Sequence, residues 1–449
     1  MNQLRVSATI VLLMLAAVIV AGSLASCARE LPTAMTSHAH PESRLSGSTD
    51  GSEDVTSYVS VTLAASTDPQ VIATDYNCTI VDYEPAELLL TLRPAAGVLP
   101  ADVAAQMATD PRLQTAEQDG YLQTAESRQQ SFAFDDGLNS PGAVPEQPAA
   151  LALHLAEAHN ISDGARVRVA VLDTGIDPNH PMFAGRIAAA WNFTNNSGDV
   201  TDIKTGIDAN KNGFVDEAWG HGTHVAGIVL MTAPKVDLLI ARVLDSEGRG
   251  DVSNVAAGIR WAVARGARVI NLSLGTLVHS DAIESALNVA EAHGVMVVAS
   301  AGNWGADHPQ EYPASSGQAT AIAATDVNAT PATWTSFASF VALTAPGISI
   351  RSAYPGGTYR LWSGTSMSTP FVSGTAALLL ALHPDWQTDQ VLERINRTAQ
   401  NLHAVPATML GKLGDGMLDV GAALRPDHVD PYDGTAPPTD LPLQRLGSR

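Results

Sequence analysis

The chain has 449 residues, an apolar fraction of 45% and a formal net charge of −21. This length predicts two folded units with flanking segments, and the apolar fraction is sufficient for a sizeable core. The strong negative charge repels phosphate backbones, which argues against a nucleic-acid partner. Two cysteines, Cys27 and Cys78, allow one disulfide at most and exclude a disulfide-stapled scaffold.

The N-terminal segment has the features of an export signal. Arg5 precedes an apolar run over residues 6–20, and small residues then lead to Cys27. Residues 24–27 resemble a bacterial lipobox, whose cysteine is lipidated. We therefore expect residues 1–27 to be a signal peptide with Cys27 as its lipidation site. The protein is then exported, as a cell-envelope lipoprotein or in secreted form. The alternatives are a cleaved signal with an incidental cysteine and an uncleaved anchor helix.

Composition divides the rest of the chain into segments. Polar residues at 28–56 predict a flexible tether. Residues 57–126 are expected to form a small α+β domain, with strands at 57–65, 78–81 and 88–92 and a helix at 100–109. Residues 127–149, rich in Gln, Pro and Gly, predict a linker. The Pro- and Asp-rich residues 426–449 predict a disordered tail.

Residues 150–425 alternate between strand-like and helix-like patterns. Continuous apolar runs at 167–172, 236–243, 269–274 and 295–299 are typical of strands buried on both faces. Helical spacing of apolar residues follows at 252–265 and 281–293. The alternation predicts an α/β fold with a parallel sheet and helices on both faces. Such sheets form sites at the carboxyl ends of their strands.

The first candidate at such an end is Asp173, in Asp173-Thr174-Gly175. Aspartic proteases also have Asp-Thr-Gly after an apolar strand. Their mechanism needs two such carboxylates that share a proton, and the sequence has no second Asp-Thr-Gly or Asp-Ser-Gly triplet. The aspartic-protease interpretation is therefore weak.

The second candidate is His221, which lies in a glycine-rich segment with His224. Two histidines could indicate a metal site, but no third ligand stands at a familiar spacing and His-Glu-x-x-His is absent. Zinc-ligand spacing of Cys and His is absent too. One imidazole at a helix start fits a general base near neutral pH better.

The third candidate is Ser366, which precedes an apolar helical run at 371–382 with Pro370 in its first turn. A serine at a helix start is usually an N-cap. Here its hydroxyl would also lie in the positive field of the helix N-terminus. The nucleophile elbow Gly-x-Ser-x-Gly is not met, because Ser368 occupies its last position.

In the chain order Asp173, His221 and Ser366, these motifs resemble the three signatures of the subtilase family. The resemblance covers residues 150–425 and implies a subtilisin-like parallel sheet preceded by a propeptide-like domain. It implies a serine endopeptidase that needs no cofactor for catalysis. Ser366 would attack the peptide carbonyl, His221 would transfer the proton, and Asp173 would orient the imidazole.

The resemblance extends to the substrate cleft. Two segments resemble the strands that pair with substrate backbone in this family: Ser273, Leu274 and Gly275 on one side, and Gly248 with Gly250 on the other. A peptide between them would be bound by β-augmentation. Gly302 and Asn303 resemble the segment that ends in the oxyanion-hole asparagine. Its amide would act together with the Ser366 backbone N–H.

Substrate preference is predicted from Glu311. Residues 312–314 resemble the far wall of the primary specificity pocket, which places Glu311 near the base of that pocket. A carboxylate shielded from water favours Lys or Arg before the cut bond. The alternatives are that Glu311 faces solvent or binds a cation, with a broad or apolar preference.

A calcium loop is predicted at residues 208–213, with Asp208, Asn210, Asn212 and Asp216 as oxygen ligands. Trp219 stands where an EF-hand has its closing glutamate. Several subtilases bind calcium in inserted loops, so the resemblance supports a structural calcium ion. The alternative is a polar surface turn.

The expected partners are protein or peptide substrates, the protein's own propeptide, and a membrane through the lipid anchor. Two other functions remain open: an inactive pseudoprotease that binds peptides, and a processing peptidase with a single substrate. Inactive relatives usually lack a triad residue or the oxyanion asparagine, and all four residues are present here. The N-terminal α+β domain has its own alternative, an unrelated targeting or adhesion domain.

Overall fold

The computed structural model describes residues 55–85, 88–128, 131–307 and 311–425. The predicted signal peptide with Cys27, the predicted tether up to residue 54 and the predicted tail from residue 426 lie outside the described residues. The strands are β1 (Val55–Leu63), β2 (Cys78–Glu84), β3 (Leu89–Pro94), β4 (Leu113–Gln123), β5 (Arg168–Asp173), β6 (Ile187–Asn192), β7 (Asp237–Arg242), β8 (Arg249–Asp251), β9 (Val269–Leu272), β10 (Met296–Ser300), β11 (Ala319–Thr325), β12 (Val341–Pro346), β13 (Ile350–Tyr354) and β14 (Thr358–Trp362).

The α-helices are α1 (Pro69–Asp75), α2 (Pro100–Met107), α3 (Ala125–Arg128), α4 (Pro148–Ala152), α5 (Leu155–His159), α6 (His221–Thr232), α7 (Val252–Ala264), α8 (Asp281–Ala292), α9 (Thr365–Leu382), α10 (Thr388–Arg397) and α11 (Val420–Leu424). Short 3-10 turns lie at Pro141–Ala143, Pro181–Phe183 and Ala407–Met409.

A parallel sheet forms the centre of the larger α/β domain, with strand order β12-β11-β10-β9-β5-β7-β6. Successive residues of β5 face opposite sides of this sheet. Val169 and Val171 pack in the core beneath α6 and α9, whereas Ala170 and Leu172 pack beneath α7 and α8. Helices therefore cover both faces, and the α/β fold predicted from the apolar runs is confirmed.

Helix α9 begins earlier than the apolar run at 371–382 predicted, at Thr365. Pro370 lies inside the helix and has no N–H to donate to the Ser366 carbonyl. That carbonyl instead accepts a 3.0 Å hydrogen bond from Ser273 Oγ, so the helix tolerates the proline and Ser366 lies in its first turn. The helix is long and apolar enough to cross a membrane, but 89% of its apolar window is buried inside the protein.

The α+β subdomain (residues 55–123) has its own core. Val59 and Val61 of β1 pack with Leu90 and Leu92 of β3 beneath α1 and α2. Strand β4 pairs with β1 on one side and with β8 of the α/β domain on the other. The resulting antiparallel sheet has the order β2-β3-β1-β4-β8 and joins the two parts.

Two carboxylates of β4 hold the subdomain against helix N-termini of the α/β domain. Glu117 accepts hydrogen bonds from Ser280 Oγ at 2.6 Å and from Asp281 N at 2.7 Å, where α8 begins. Asp119 accepts from Ser253 Oγ at 3.2 Å, where α7 begins. Both carboxylates therefore meet the positive ends of helix dipoles.

The segment predicted as a linker also lies along the α/β domain. Phe134 pairs with Leu361 of β14. Gln147 accepts a hydrogen bond from Arg351 N at 2.9 Å and donates one to Arg351 O at 2.8 Å. Side-chain and backbone hydrogen bonds thus hold part of this segment in place.

Candidate active site

The three candidate catalytic residues meet at the carboxyl edge of the parallel sheet. Asp173 is the last residue of β5, His221 is the first residue of α6, and Ser366 is in the first turn of α9. All three are buried. The chain adds later strands on both sides of β5, and open α/β sheets bind ligands where the strand order reverses in this way.

His221 and Asp173 form the first half of the site. His221 Nδ1 lies 2.7 Å from Asp173 Oδ1, which also accepts from Thr174 N at 2.7 Å. Burial opposes a positive charge on His221, but the carboxylates of Asp173 and Glu126 raise its pKa to about 10. The contact at Nδ1 fixes the ring and leaves Nε2 for proton transfer.

Asp202 is a buried carboxylate that the sequence analysis missed. Its Oδ2 accepts hydrogen bonds from Thr174 Oγ1 at 2.8 Å and from Gly220 N at 2.7 Å. Burial raises the pKa of Asp202 to about 7. Because Thr174 follows Asp173 and Gly220 precedes His221, this carboxylate holds the two turns of the candidate triad together.

The predicted oxyanion donors converge on a second missed residue, Glu126. Its Oε1 lies 3.0 Å from Asn303 Nδ2 and 3.4 Å from Ser366 N. Its Oε2 lies 2.5 Å from Ser366 Oγ and 3.3 Å from His221 Nε2. Burial opposes the negative charge of Glu126, yet His221, Ser366 and Asn303 hold its pKa below the usual range. The only signal in the sequence was its place at the end of the predicted α+β domain.

Asn303 is oriented by the helix start that carries the candidate nucleophile. Its Oδ1 accepts from Thr365 N at 3.0 Å and from Thr365 Oγ1 at 2.9 Å. These two bonds identify Oδ1 as the acceptor, so Nδ2 is the atom that faces Glu126 and can donate. The segment and α9 are further joined by Gly302 N, which donates to Thr365 Oγ1 at 3.2 Å.

The two segments predicted to bind substrate lie on either side of the end of β4. Gln123 and Gly275 exchange two hydrogen bonds of 2.9 Å, and Thr124 N donates to Gly248 O at 3.0 Å. Leu122 pairs with Gly250, and Leu274 is buried. An extended strand of the same chain therefore lies between them, in the geometry of β-augmentation.

Glu311 is only 1% exposed and lies against two glycines of the predicted substrate cleft. A Cβ atom at Gly275 would lie 2.4 Å from Glu311 Oε1, and one at Gly302 would lie 3.0 Å from Oε2. Trp304 Nε1 donates to Oε2 at 2.8 Å. The carboxylate is thus buried against Gly275, Gly302 and Trp304 and does not face solvent.

The predicted calcium loop is closed by its own hydrogen bonds. Asp208 accepts from Asn212 N at 3.1 Å and from Gly213 N at 2.9 Å. The side-chain amides of Asn210 and Asn212 donate to Glu217 at 2.9 Å and 2.7 Å. Glu217 is therefore the carboxylate that lies beside the loop.

Asp216, which we expected as a ligand, does not lie with them. It has a φ of 55°, and its carboxylate accepts from Thr205 N at 2.7 Å on another side of the turn. The prediction that Asp216 joins the other three residues is corrected by this turn of the backbone. Within the described part of the chain, no group of three or more His, Cys, Asp or Glu side chains is arranged to hold a metal ion.

Comparison with known proteins identifies relatives of this arrangement. Residues 164–416 match the model of the subtilase family. Subtilisin BL of Lederbergia lenta is 38% identical over 278 residues, which cover 60% of this chain and 94% of that protein. Thermitase of Thermoactinomyces vulgaris is 39% identical over 251 residues, which cover 54% of this chain and 84% of that protein.

Structural comparison agrees at the level of the fold. The crystal structure of fervidolysin from Fervidobacterium pennivorans, a keratinolytic enzyme related to subtilisin, aligns with a TM-score of 0.67 and 23% identity. The alignment covers 87% of this chain and 64% of fervidolysin.

Proposed function

Because the chain belongs to the subtilase family and is a serine endopeptidase of the subtilisin type, we propose that Ser366 is its nucleophile. His221 is the general base and Asp173 orients the imidazole. The observation that carries this assignment is the 2.7 Å contact between His221 Nδ1 and Asp173 Oδ1, beside the helix turn with Ser366. The test is whether casein hydrolysis by the mature protein is lost when Ser366 is replaced.

In the proposed mechanism Ser366 Oγ attacks the carbonyl carbon of the substrate while His221 Nε2 takes the hydroxyl proton. Asn303 Nδ2 and Ser366 N donate to the resulting oxyanion. His221 then gives the proton to the leaving amine, and the peptide bond breaks. Water hydrolyses the acyl-enzyme by the same transfers in reverse order, which releases the second product and restores Ser366 Oγ–H.

The α+β subdomain is proposed to be the propeptide of this enzyme. The end of its strand β4 lies in the predicted cleft, where Gln123 pairs with Gly275. Glu117 of the same strand binds the start of α8. The same contacts that would bind a substrate are therefore made within the chain. This arrangement supports inhibition of the precursor and removal of the subdomain by the enzyme itself.

For substrate preference, we propose that Glu311 selects Lys or Arg before the cut bond. Replacing Glu311 by Gln keeps the size of the side chain and removes its charge. We expect kcat/KM for an Arg peptide to fall about 10–100-fold, because one partner of a shielded ion pair is lost. Matched peptides with Arg, Leu or Phe at this position measure the effect. Glu284→Gln, an exposed change on α8, is the control. A wild-type preference for Leu or Phe that persists in Glu311→Gln contradicts this role.

A structural calcium ion near residues 208–217 is also proposed. Burial raises the pKa of Glu217 and raises that of Glu247 to about 7. Glu247 Oε2 and Asp245 Oδ2 are buried without a hydrogen-bond partner. Carboxylate and amide oxygens are the ligands that Ca²⁺ takes, so Asp208, Glu217 and the neighbouring asparagines would hold such an ion, whose charge would offset the nearby buried carboxylates of Glu247 and Asp245. When bound, the ion would stabilise the loop.

We expect the melting temperature of the protein to be about 5 °C higher in millimolar calcium than in EDTA, because an ion bound only to the folded state stabilises it. Magnesium at the same concentration is the control, since it demands a stricter octahedral geometry. The variant Glu217→Gln should lose most of the calcium response. Equal melting temperatures in calcium and EDTA would contradict the proposed calcium site.

For localisation, we propose export and a lipid anchor on Cys27. Replacing Cys27 by Ser removes the thiol to which the lipid would be attached, so the protein should move from the membrane fraction to the soluble fraction. Stable anchoring needs more than one acyl chain, and a lipidated N-terminal cysteine of a bacterial lipoprotein carries several. Cell fractionation measures the change, with Cys78→Ser as the matched control. Undiminished membrane association of Cys27→Ser argues against the anchor.

A further inference from the structure

The backbone of the precursor is not presented for cleavage beyond Thr124. Strand β4 runs extended through the cleft up to Gln123, and the chain then enters the helical turn α3. Thr124 Oγ1 accepts from Ser127 N at 3.2 Å and lies 2.7 Å from Ser127 Oγ. This cap stabilises the turn. A peptide bound by β-augmentation stays extended across the cleft, whereas here a turn replaces the next extended residues.

The turn inserts one side chain, that of Glu126, into the catalytic centre. Each of its two oxygens contacts groups that the mechanism needs: Oε1 lies at the oxyanion donors, and Oε2 lies at Ser366 Oγ and His221 Nε2. Oxyanion donors are arranged to bind negative oxygen, which a carboxylate supplies permanently. The fit is close, because a Cβ atom at Gly364 would lie 1.7 Å from Oε1.

The C-terminal side of the turn is held as well. Ser131 N donates to the Glu126 carbonyl at 2.9 Å, and Ser131 Oγ donates to Ser363 O at 2.8 Å. Trp362 Nε1 donates to Ser131 O at 3.0 Å. The Glu126 side chain is thus fixed between two anchored points, the strand that ends at Gln123 and the contacts of Ser131.

We propose that Glu126 is a built-in ligand of the oxyanion hole that keeps the uncleaved precursor inactive, so that self-cleavage requires its carboxylate to withdraw. This inference rests on the proposed roles of Ser366, His221 and Asn303. The carboxylate blocks the chemistry in two ways. It occupies the donors that a tetrahedral intermediate needs, and it pairs with the imidazole that must be neutral to accept the Ser366 proton.

The test is the rate of self-processing of the full chain after refolding, followed by gel electrophoresis and mass spectrometry. In Glu126→Gln, which keeps the shape and removes the charge, processing should be at least about tenfold faster than in wild type, since charge-assisted hydrogen bonds are lost. Glu126→Asp keeps the charge on a shorter arm and should process at an intermediate rate. If neither variant is faster than wild type, the proposal is overturned.

The matched control is Glu117→Gln. Glu117 is also a glutamate at the subdomain interface and is half-buried, but it binds the start of α8 and not the catalytic groups. Its loss weakens docking of the subdomain and leaves the oxyanion hole occupied. If Glu117→Gln accelerates processing as much as Glu126→Gln, general loosening explains the effect and the specific role of Glu126 is wrong.

A second readout needs no catalysis. NMR titration of His221 in the Ser366→Ala precursor reports the imidazole charge directly. The groups that face the ring are Asp173 at Nδ1, Glu126 at Nε2 and, one turn along α6, His224, which burial keeps neutral with a pKa of about 3. Adding Glu126→Gln should lower the His221 pKa by at least about one unit, because a nearby opposite charge is removed. An unchanged titration overturns the proposal.

These outcomes separate the ligand role from the triad assignment. If the triad were wrong, Ser366→Ala would be processed like wild type, whatever residue stands at 126. If only the ligand role were wrong, Ser366→Ala would stay unprocessed while wild type and Glu126→Gln matured at equal rates.

Discussion

Replacing Ser366 by Ala should abolish hydrolysis of casein and leave the full-length precursor uncut. The substitution removes the nucleophilic oxygen, which lies with His221 Nε2 at Glu126 Oε2. Loss of the nucleophile costs on the order of 10⁶ in kcat in the relative subtilisin. Fluorescent casein measures the activity, and gel electrophoresis with mass spectrometry measures the precursor.

The matched control for this variant is Ser368→Ala. Ser368 is buried in the same helix, and its Oγ donates to Ala345 O at 2.9 Å rather than to a catalytic group. We expect this variant to mature and to hydrolyse casein with little change in kcat. The unfolding transition of Ser366→Ala should stay cooperative, because the substitution removes one oxygen atom. Near-normal hydrolysis by Ser366→Ala would refute the proposed triad.

Replacing Asn303 by Leu should have the next largest effect, on kcat more than on KM. The amide donates to the oxygen that becomes negative in the transition state. Its loss therefore raises the free energy of the transition state and not that of the bound substrate. The expected decrease in kcat is about 10²–10³, or about 3–4 kcal/mol, a range measured for the corresponding asparagine of subtilisin. Steady-state kinetics of the mature enzyme on one peptide substrate measures both constants.

Asn303 also has a structural contact, which a second variant isolates. Its Oδ1 accepts from Thr365 Oγ1 at 2.9 Å, so Asn303→Leu removes a positioning bond as well as the donor. Thr365→Val removes that side-chain bond and leaves Asn303 Nδ2 in place, and it should reduce kcat by less than Asn303→Leu. If the two variants lose the same activity, or if Asn303→Leu raises KM alone, the oxyanion role is wrong.

The α/β fold and the positions of Asp173, His221 and Ser366 could be predicted because their signals are local. Each residue stands in a short glycine-containing motif, and the apolar runs of the strands report burial on both faces. Each motif is contained within a few consecutive residues. The order of the three motifs along the chain then indicated one family.

Glu126 and Asp202 could not be found in this way, because their partners are distant in sequence. Glu126 contacts Ser366, which is 240 positions away, and Asp202 acts through Thr174 and Gly220. Each stands in a polar segment that resembles an ordinary loop. Strand β4 was missed for a related reason, since its polar sequence is stabilised by pairing with β1 and β8 rather than by an apolar pattern.

Some boundaries in the structure differ from the predicted ones because tertiary contacts determine them. Strand β9 ends at Leu272, earlier than the apolar run at 269–274 predicted, because Gly275 leaves the sheet to pair with Gln123. Asp216 was expected beside Asp208 from the spacing of a known loop. The left-handed backbone at Asp216 instead places Glu217 there.

Covalent titration of the mature enzyme with a fluorophosphonate tests whether Ser366 is the catalytic nucleophile. The reagent forms a stable bond with an activated serine, and peptide mapping by mass spectrometry identifies the modified residue. We expect one label per molecule, on Ser366, with casein hydrolysis falling in proportion to the fraction labelled. Full inactivation with the label on another serine, or full activity with Ser366 completely modified, would contradict it.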